Sequence, residues 1–357
     1  MKPVRLVIVD DARFVREALS RLLAADDRIH VVATAATGEE LLARLDEWRP
    51  DAVTLDLEMP GLGGLATLDR LAERPEVSVI IMSTRSGEGA PVTIEALARG
   101  AADFVDKESL SLVDFRALRE VLVTKLLHVT GREVADPPVE LGLPAPVRPV
   151  RPVSRGGMRL LVVGASTGGP RAVEHLLRSL APVGVPVLIA QHMPPGFTRA
   201  FAERLNRTLP LDVAEARHDE GLLPGMVRIA PGGRHLAVAA SHGRLRSQIL
   251  DDPADTLHRP CVDVLFRSAA QAVGDEAVAV LLTGMGSDGA AGMALLAAAG
   301  APTIAQDEAT CVVYGMPRAA VLMGAAGDEL PLDAIGPRIH ELMRPTGVGR
   351  QTLTLEA

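Results

Sequence analysis

The chain has 357 residues, 48% of them apolar and 23% charged, with a formal net charge of −8. These are globular proportions that exclude general disorder, and the length fits two domains of about 150 residues each. The acidic balance and the 2% aromatic content disfavour a nucleic-acid role, because phosphates are repelled and bases find no stacking platform. No apolar run approaches the roughly 18 residues needed to cross a bilayer. Asp10 and Asp11 end the first apolar run too early for a signal peptide. Cys261 and Cys311 have no CxxC pattern, which fits a reducing compartment. A cytoplasmic chain without membrane insertion is expected.

Short apolar strands are predicted at 4–9, 29–33, 52–55, 77–82 and 103–105, alternating with helices. The first helix carries Val15, Ala18, Leu19, Leu22 and Leu23 on one face, and the second Leu41, Leu42, Leu45 and Trp48. Such alternation implies a doubly wound parallel α/β sheet over residues 1–126. Six prolines between Pro137 and Pro152, ending in Ser154-Arg155-Gly156-Gly157, read as a semi-stiff Pro-rich linker placed at 127–156. The α/β alternation resumes over 157–348, with strands expected at 160–163, 186–190, 226–230, 277–282 and 302–305. A hairpin is expected around Ser241-His242-Gly243, and 349–357 reads as a tail.

In the first domain Asp10, Asp11, Asp56, Ser83, Thr84 and Lys107 fall after successive strands. In a parallel sheet those strand ends share the edge where ligands bind. Each aspartate alone reads more readily as a helix cap or a solvated charge. Together, three carboxylates on one edge call for a cation, and Mg²⁺ suits oxygen ligands and a phosphate donor. The pattern resembles the receiver domain of bacterial response regulators. The resemblance implies that Asp56 is the phosphoacceptor, and that Asp10, Asp11, Asp56 and the Glu58 carbonyl hold Mg²⁺. It further implies Ser83 as the switch hydroxyl, with Thr84 a close competitor, Phe104 as the switch aromatic, and Lys107 beside the phosphoryl group. Glu108 departs from the proline that many receivers carry after that lysine.

In the second domain Gly164-Ala165-Ser166-Thr167-Gly168-Gly169-Pro170 follows a strand and precedes a helix. Read as G-x-S-x-G it presents Ser166 on a tight turn, with the Thr167 N–H aimed at a developing oxyanion. A phosphate-binding loop is an equal alternative for this turn taken alone. His192 and Asp288 each follow another strand. Individually they read as a structural histidine and an N-cap; together they supply the base and the orienting acid that a serine needs. The chain order Ser, His, Asp disfavours a lipase-type fold.

Blocks at 164–169, 191–198 (Gln-His-Met-Pro-Pro-Gly-Phe-Thr) and 283–289 (Thr-Gly-Met-Gly-Ser-Asp-Gly), with 304–308 and 314–318, resemble the catalytic domain of the CheB protein-glutamate methylesterases. The receiver–linker–esterase order is similar too. The resemblance implies Ser166 as nucleophile, His192 as base, Asp288 as its acid, and the Met285 N–H as second oxyanion donor. It implies demethylation of glutamate esters on chemoreceptors and deamidation of glutamines, with no cofactor for the esterase and a CheA-type histidine kinase as phosphodonor. A monomer is expected, whose unphosphorylated receiver hinders the esterase edge. Rival readings are a phosphorylation-gated scaffold without hydrolysis and a transcription factor; the latter lacks a basic helix-turn-helix segment after the linker.

Overall fold

A computed structural model describes residues 2–83, 89–107, 115–132, 157–253 and 256–344. Thr84, Glu108, most of the Pro-rich stretch and the tail lie outside them.

The first domain is built from β1 (Val4–Val9), α1 (Arg13–Leu23), β2 (Ile29–Ala35), α2 (Gly38–Trp48), β3 (Ala52–Asp56), α3 (Gly63–Leu71), β4 (Ser78–Ser83), α4 (Gly89–Ala98), β5 (Asp103–Asp106) and α5 (Phe115–Val129). Its strands are parallel in the order β2-β1-β3-β4-β5. Crossover helices cover both faces, so the central strands read as nearly unbroken apolar runs; β3 is buried throughout. The expected boundary at 126 falls inside α5, because Leu126 and Leu127 are both core residues. Past the helix, Arg132 returns to the sheet, donating to Asp51 Oδ2 at 2.9 Å and to the Lys2 carbonyl at 2.8 Å.

The second domain contains β6 (Leu160–Ala165), α6 (Gly169–Leu180), β7 (Val187–Gln191), α7 (Phe197–Thr208), β8 (Asp212–Glu215), β9 (Met226–Ile229), β10 (His235–Ser241), β11 (Arg244–Leu250), α8 (Val262–Ala272), β12 (Ala277–Leu281), α9 (Ala290–Ala298), β13 (Thr303–Gln306), α10 (Met316–Leu322), β14 (Asp328–Leu330) and α11 (Leu332–Met343). Seven strands form one parallel sheet in the order β14-β13-β12-β6-β7-β9-β8. β10 and β11 form a separate antiparallel hairpin closed by His242 and Gly243, whose φ values of 50° and 76° suit a primed turn that follows the strand twist. β6 lies between β12 and β7. That adjacency decides which loops meet.

One apolar cluster runs from the receiver core through Phe104 to Phe197 and the esterase core. α4 packs on α6 and α7 across this boundary. Arg204 of α7 reinforces it, pairing with Glu95 of α4 at 3.1 Å and with Glu174 of α6.

Candidate active site

Ser166, His192 and Asp288 follow β6, β7 and β12, which are neighbours in one parallel sheet, so the topology brings the three to one rim. The Ser166 backbone is held from both sides. Its N–H donates to the Thr283 carbonyl at 3.0 Å, and its own carbonyl accepts from Gln191 Nε2 at 2.8 Å. Two glycines make room for it. A Cβ on Gly284 would lie 2.8 Å from the Ser166 Cβ, and Gly168 adopts φ +76° where a side chain would strike Val312. Pro170 stands in the first turn of α6, where its missing N–H costs no hydrogen bond.

His192 Nε2 and Asp288 Oδ2 are 2.8 Å apart. The Asp288 carboxylate also accepts from the Val262 N–H at 2.7 Å, the Asp263 N–H at 2.9 Å and the Cys261 thiol at 3.1 Å. Burial alone would raise its pKa, but the hydrogen bond and charge of His192, with the two amides, hold it well below the usual carboxylate range. An ionised carboxylate can only accept, so the proton in that contact sits on Nε2, and in the neutral form of the ring the lone pair falls on Nδ1. Nδ1 is buried and has no hydrogen-bond partner among the described residues. Asp263, crowded by burial and by the Asp288 charge, is pushed up to about 7. Burial first, then Asp288, raises the Cys261 thiol far above its ordinary value.

A cavity of about 350 Å³ lies over this rim, lined by Ser166, Thr167, His192 and Met285 from the esterase and by Asp103, Phe104 and Lys125 from the receiver. Thr167 Oγ1 donates to Asp103 Oδ2 at 2.5 Å, and Lys125 Nζ meets the same oxygen at 2.5 Å. The Gly168 N–H donates to the Ala102 carbonyl at 3.1 Å, and the Phe104 and Phe197 rings lie 4.6 Å apart. Sequence reasoning named Thr167 and Phe104 but not these partners.

At the receiver's own edge, Lys107 Nζ reaches Asp10 Oδ2 at 2.8 Å and Asp56 Oδ2 at 2.6 Å. Burial raises the Asp56 pKa more than Lys107 lowers it, whereas the two carboxylates carry Lys107 above its ordinary value against its own burial. Carboxylate oxygens of Asp10, Asp11 and Asp56 all lie within 4.8 Å of one another. Three negative charges facing one ammonium, all oxygen donors and one of them exposed, fit a hard divalent cation. The Glu58 N–H donates to Asp56 Oδ1 at 3.1 Å, fixing that loop beside the cluster. The buried Ser83 hydroxyl, at the end of β4, is hydrogen-bonded to Thr93 of α4.

Residues 161–339 match the family model described as CheB methylesterase, and residues 6–118 match the response regulator receiver domain. The chain is 44% identical over 353 residues to a protein-glutamate methylesterase/protein-glutamine glutaminase of a Nocardioides species, covering 95% of both chains. It is 40% identical over 341 residues to a protein of the same name from Pectobacterium atrosepticum, covering 95% of this chain and 97% of that one. The crystal structure of the Thermotoga maritima CheB methylesterase catalytic domain superimposes with a TM-score of 0.51 at 38% identity, covering 52% of this chain and 100% of that domain.

Proposed function

The chain belongs to the CheB methylesterase family, and from that membership we propose that Ser166, His192 and Asp288 are the triad with which it works. It is a receiver-regulated protein-glutamate methylesterase and protein-glutamine glutaminase of chemotaxis signalling, acting on chemoreceptors and fed by a histidine kinase. We assign the kinase to the CheA type and the protein to the cytoplasm as a monomer. No helix among the described residues is long and apolar enough to cross a membrane.

The observation that carries the triad is His192, bound to Asp288 through Nε2, with Nδ1 unpartnered among the described residues, in the cavity that Ser166 also lines. Nδ1 is the basic nitrogen. It takes the Ser166 hydroxyl proton as Oγ bonds to the ester carbonyl carbon, while Asp288 stabilises the imidazolium. The ring is thus used in the reverse sense to the chymotrypsin-type triad, in which Nδ1 faces the carboxylate. N–H groups of Thr167 and Met285 would hold the oxyanion. The imidazolium returns its proton to the departing methoxide, releasing methanol. A water, deprotonated by the same nitrogen, then cleaves the acyl-enzyme to glutamate. With a glutamine substrate ammonia leaves instead.

Asp56 is the proposed phosphoacceptor. Asp10, Asp11, Asp56 and the Glu58 carbonyl would hold Mg²⁺, which would neutralise charge on the phosphoryl oxygens. Lys107 supplies the point charge opposite, and Ser83, bonded to α4 through Thr93, is the proposed switch hydroxyl. The receiver residues lining the esterase cavity support inhibition by the unphosphorylated receiver.

Ser166→Ala tests the triad. Methanol release from methylated receptor membranes should fall by about 10⁶-fold, as in serine hydrolases that lose a triad member; undiminished release rejects the assignment.

A further inference from the structure

His258 was not singled out by the sequence, yet its ring lies on the ring of His192, with centroids 4.1 Å apart and planes 22° from parallel. It lines the same cavity as Ser166, Thr167 and Met285. The loop that carries it, between β11 and α8, is pinned on both sides. Thr256 Oγ1 donates to the His258 carbonyl at 3.1 Å, Gly233 N–H to the Arg259 carbonyl at 3.0 Å, and Cys261 N–H to Nδ1 of the fully buried His235 at 3.2 Å.

The His192 ring makes one hydrogen bond among the described residues, at Nε2. One hydrogen bond leaves the imidazole otherwise held only by its Cβ–Cγ bond, about which the ring plane can still tilt. Turning would carry Nδ1 away from the nucleophile. A flat surface in contact with the ring face removes this freedom.

We propose that His258 is a positioning residue, a ring stacked on His192 that holds Nδ1 toward Ser166 and accepts the charge of the imidazolium formed during turnover. This rests on the triad assigned above. The groups acting on His258 agree with it. Burial first, then the positive charges of His192 and of Lys125 from the receiver, push its pKa down to about 4 against the opposing Asp288. The stacked ring is therefore uncharged near neutral pH. An uncharged aromatic face attracts a cation, whereas a charged one would repel it.

The test uses the full chain with His258→Ala, His258→Leu and His258→Phe, each assayed for methanol release across receptor concentrations. His258→Ala and His258→Leu should lose roughly 10- to 100-fold in kcat, the scale of a misplaced catalytic group, with KM within about threefold of the parent. His258→Phe should recover to within about threefold of the parent, since a flat ring is restored without the imidazole nitrogens. His258→Leu fills the site without a flat ring, so it reads the stack even if His258→Ala does not fold. Leucine performing as well as phenylalanine, or phenylalanine as poorly as alanine, overturns the proposal. Failure of the underlying triad is separately visible as retained activity in Ser166→Ala.

Discussion

Removing the Asp103 carboxylate should switch the esterase on without phosphorylation. Asp103 is buried on β5 and its Oδ2 takes both the Thr167 hydroxyl and the Lys125 ammonium at 2.5 Å. Asp103→Ala deletes the hydrogen bond that ties the receiver to Thr167, beside Ser166, and leaves Lys125 without that counter-charge. Hydrogen bonds to charged, partly buried groups are worth about 1.5–3 kcal/mol. At about 1.4 kcal/mol per tenfold, the equilibrium between covered and open esterase shifts by about 10- to 100-fold, limited by the fully open enzyme. The assay is methanol release from methylated receptor membranes without a phosphodonor. It is repeated in an Asp56→Asn background, where the rise should persist because it bypasses phosphorylation. Asp103 also receives its neighbour Phe104 N–H at 2.7 Å, so the receiver's thermal stability is recorded alongside. Unchanged basal release from a folded Asp103→Ala protein would show that this contact does not restrain the esterase.

Asp288→Asn should reduce kcat by about 10⁴-fold with the fold retained, since the amide no longer fixes the proton on Nε2; steady-state kinetics read this directly. Gly284→Ala forces a Cβ to 2.8 Å from the Ser166 Cβ and 2.4 Å from Met316 Sδ, and should cost about 100-fold in kcat together with a lower melting temperature. A chelator should abolish phosphorylation of Asp56 by a small-molecule phosphodonor, followed on phosphate-affinity gels, and leave basal methanol release unaltered. His258 sets an acid limit on stability. Its folded pKa of about 4 lies below the ordinary 6.5, so between these pH values the unfolded chain binds the extra proton. Stability is full above pH 6.5 and falls toward pH 4, by about 2–3 kcal/mol from this group. Urea titrations of the parent and His258→Phe at the two ends should differ by about that amount.

Strand ends were the most legible part of the sequence, because a parallel sheet buried on both faces writes itself as apolar runs that stop at polar residues. Val9 to Asp10, Leu55 to Asp56 and Leu281 to Thr283 are such stops, and the candidate groups cluster there for that reason. β8 and β14 were missed because they are short sheet edges with mixed burial, Asp212–Glu215 and Asp328–Leu330, and offer no apolar run. The three candidate triad residues could be gathered without knowing the strand order, since each follows its own strand. His258 could not, because its loop follows a hairpin outside the main sheet, and only the packing of α8 against β10 brings it to the rim. The partners of Asp103 were invisible for a related reason. Contacts between two separately folded units leave no periodicity in either.

β5 carries both ends of the proposed regulation. Asp103 and Phe104 are consecutive, so their side chains leave opposite faces of the strand, yet both reach the esterase, at Thr167 and Phe197. A central strand could not do this. β5 stands at the edge of its sheet, with no strand beyond it among the described residues. Just past its other end, Lys107 binds Asp56. At about 3.3 Å per residue, Asp103 and Lys107 are separated by about 13 Å of extended chain, short enough for the two ends to move as one rigid piece. A phosphoryl group on Asp56 gives Lys107 a new and stronger partner, and any adjustment of the strand is felt where Asp103 and Phe104 close the cavity. Lys107→Met should therefore leave basal release low while uncoupling it from phosphorylation. High basal release in that variant, with the Asp103–Thr167 contact intact, would mean that the strand does not carry the signal.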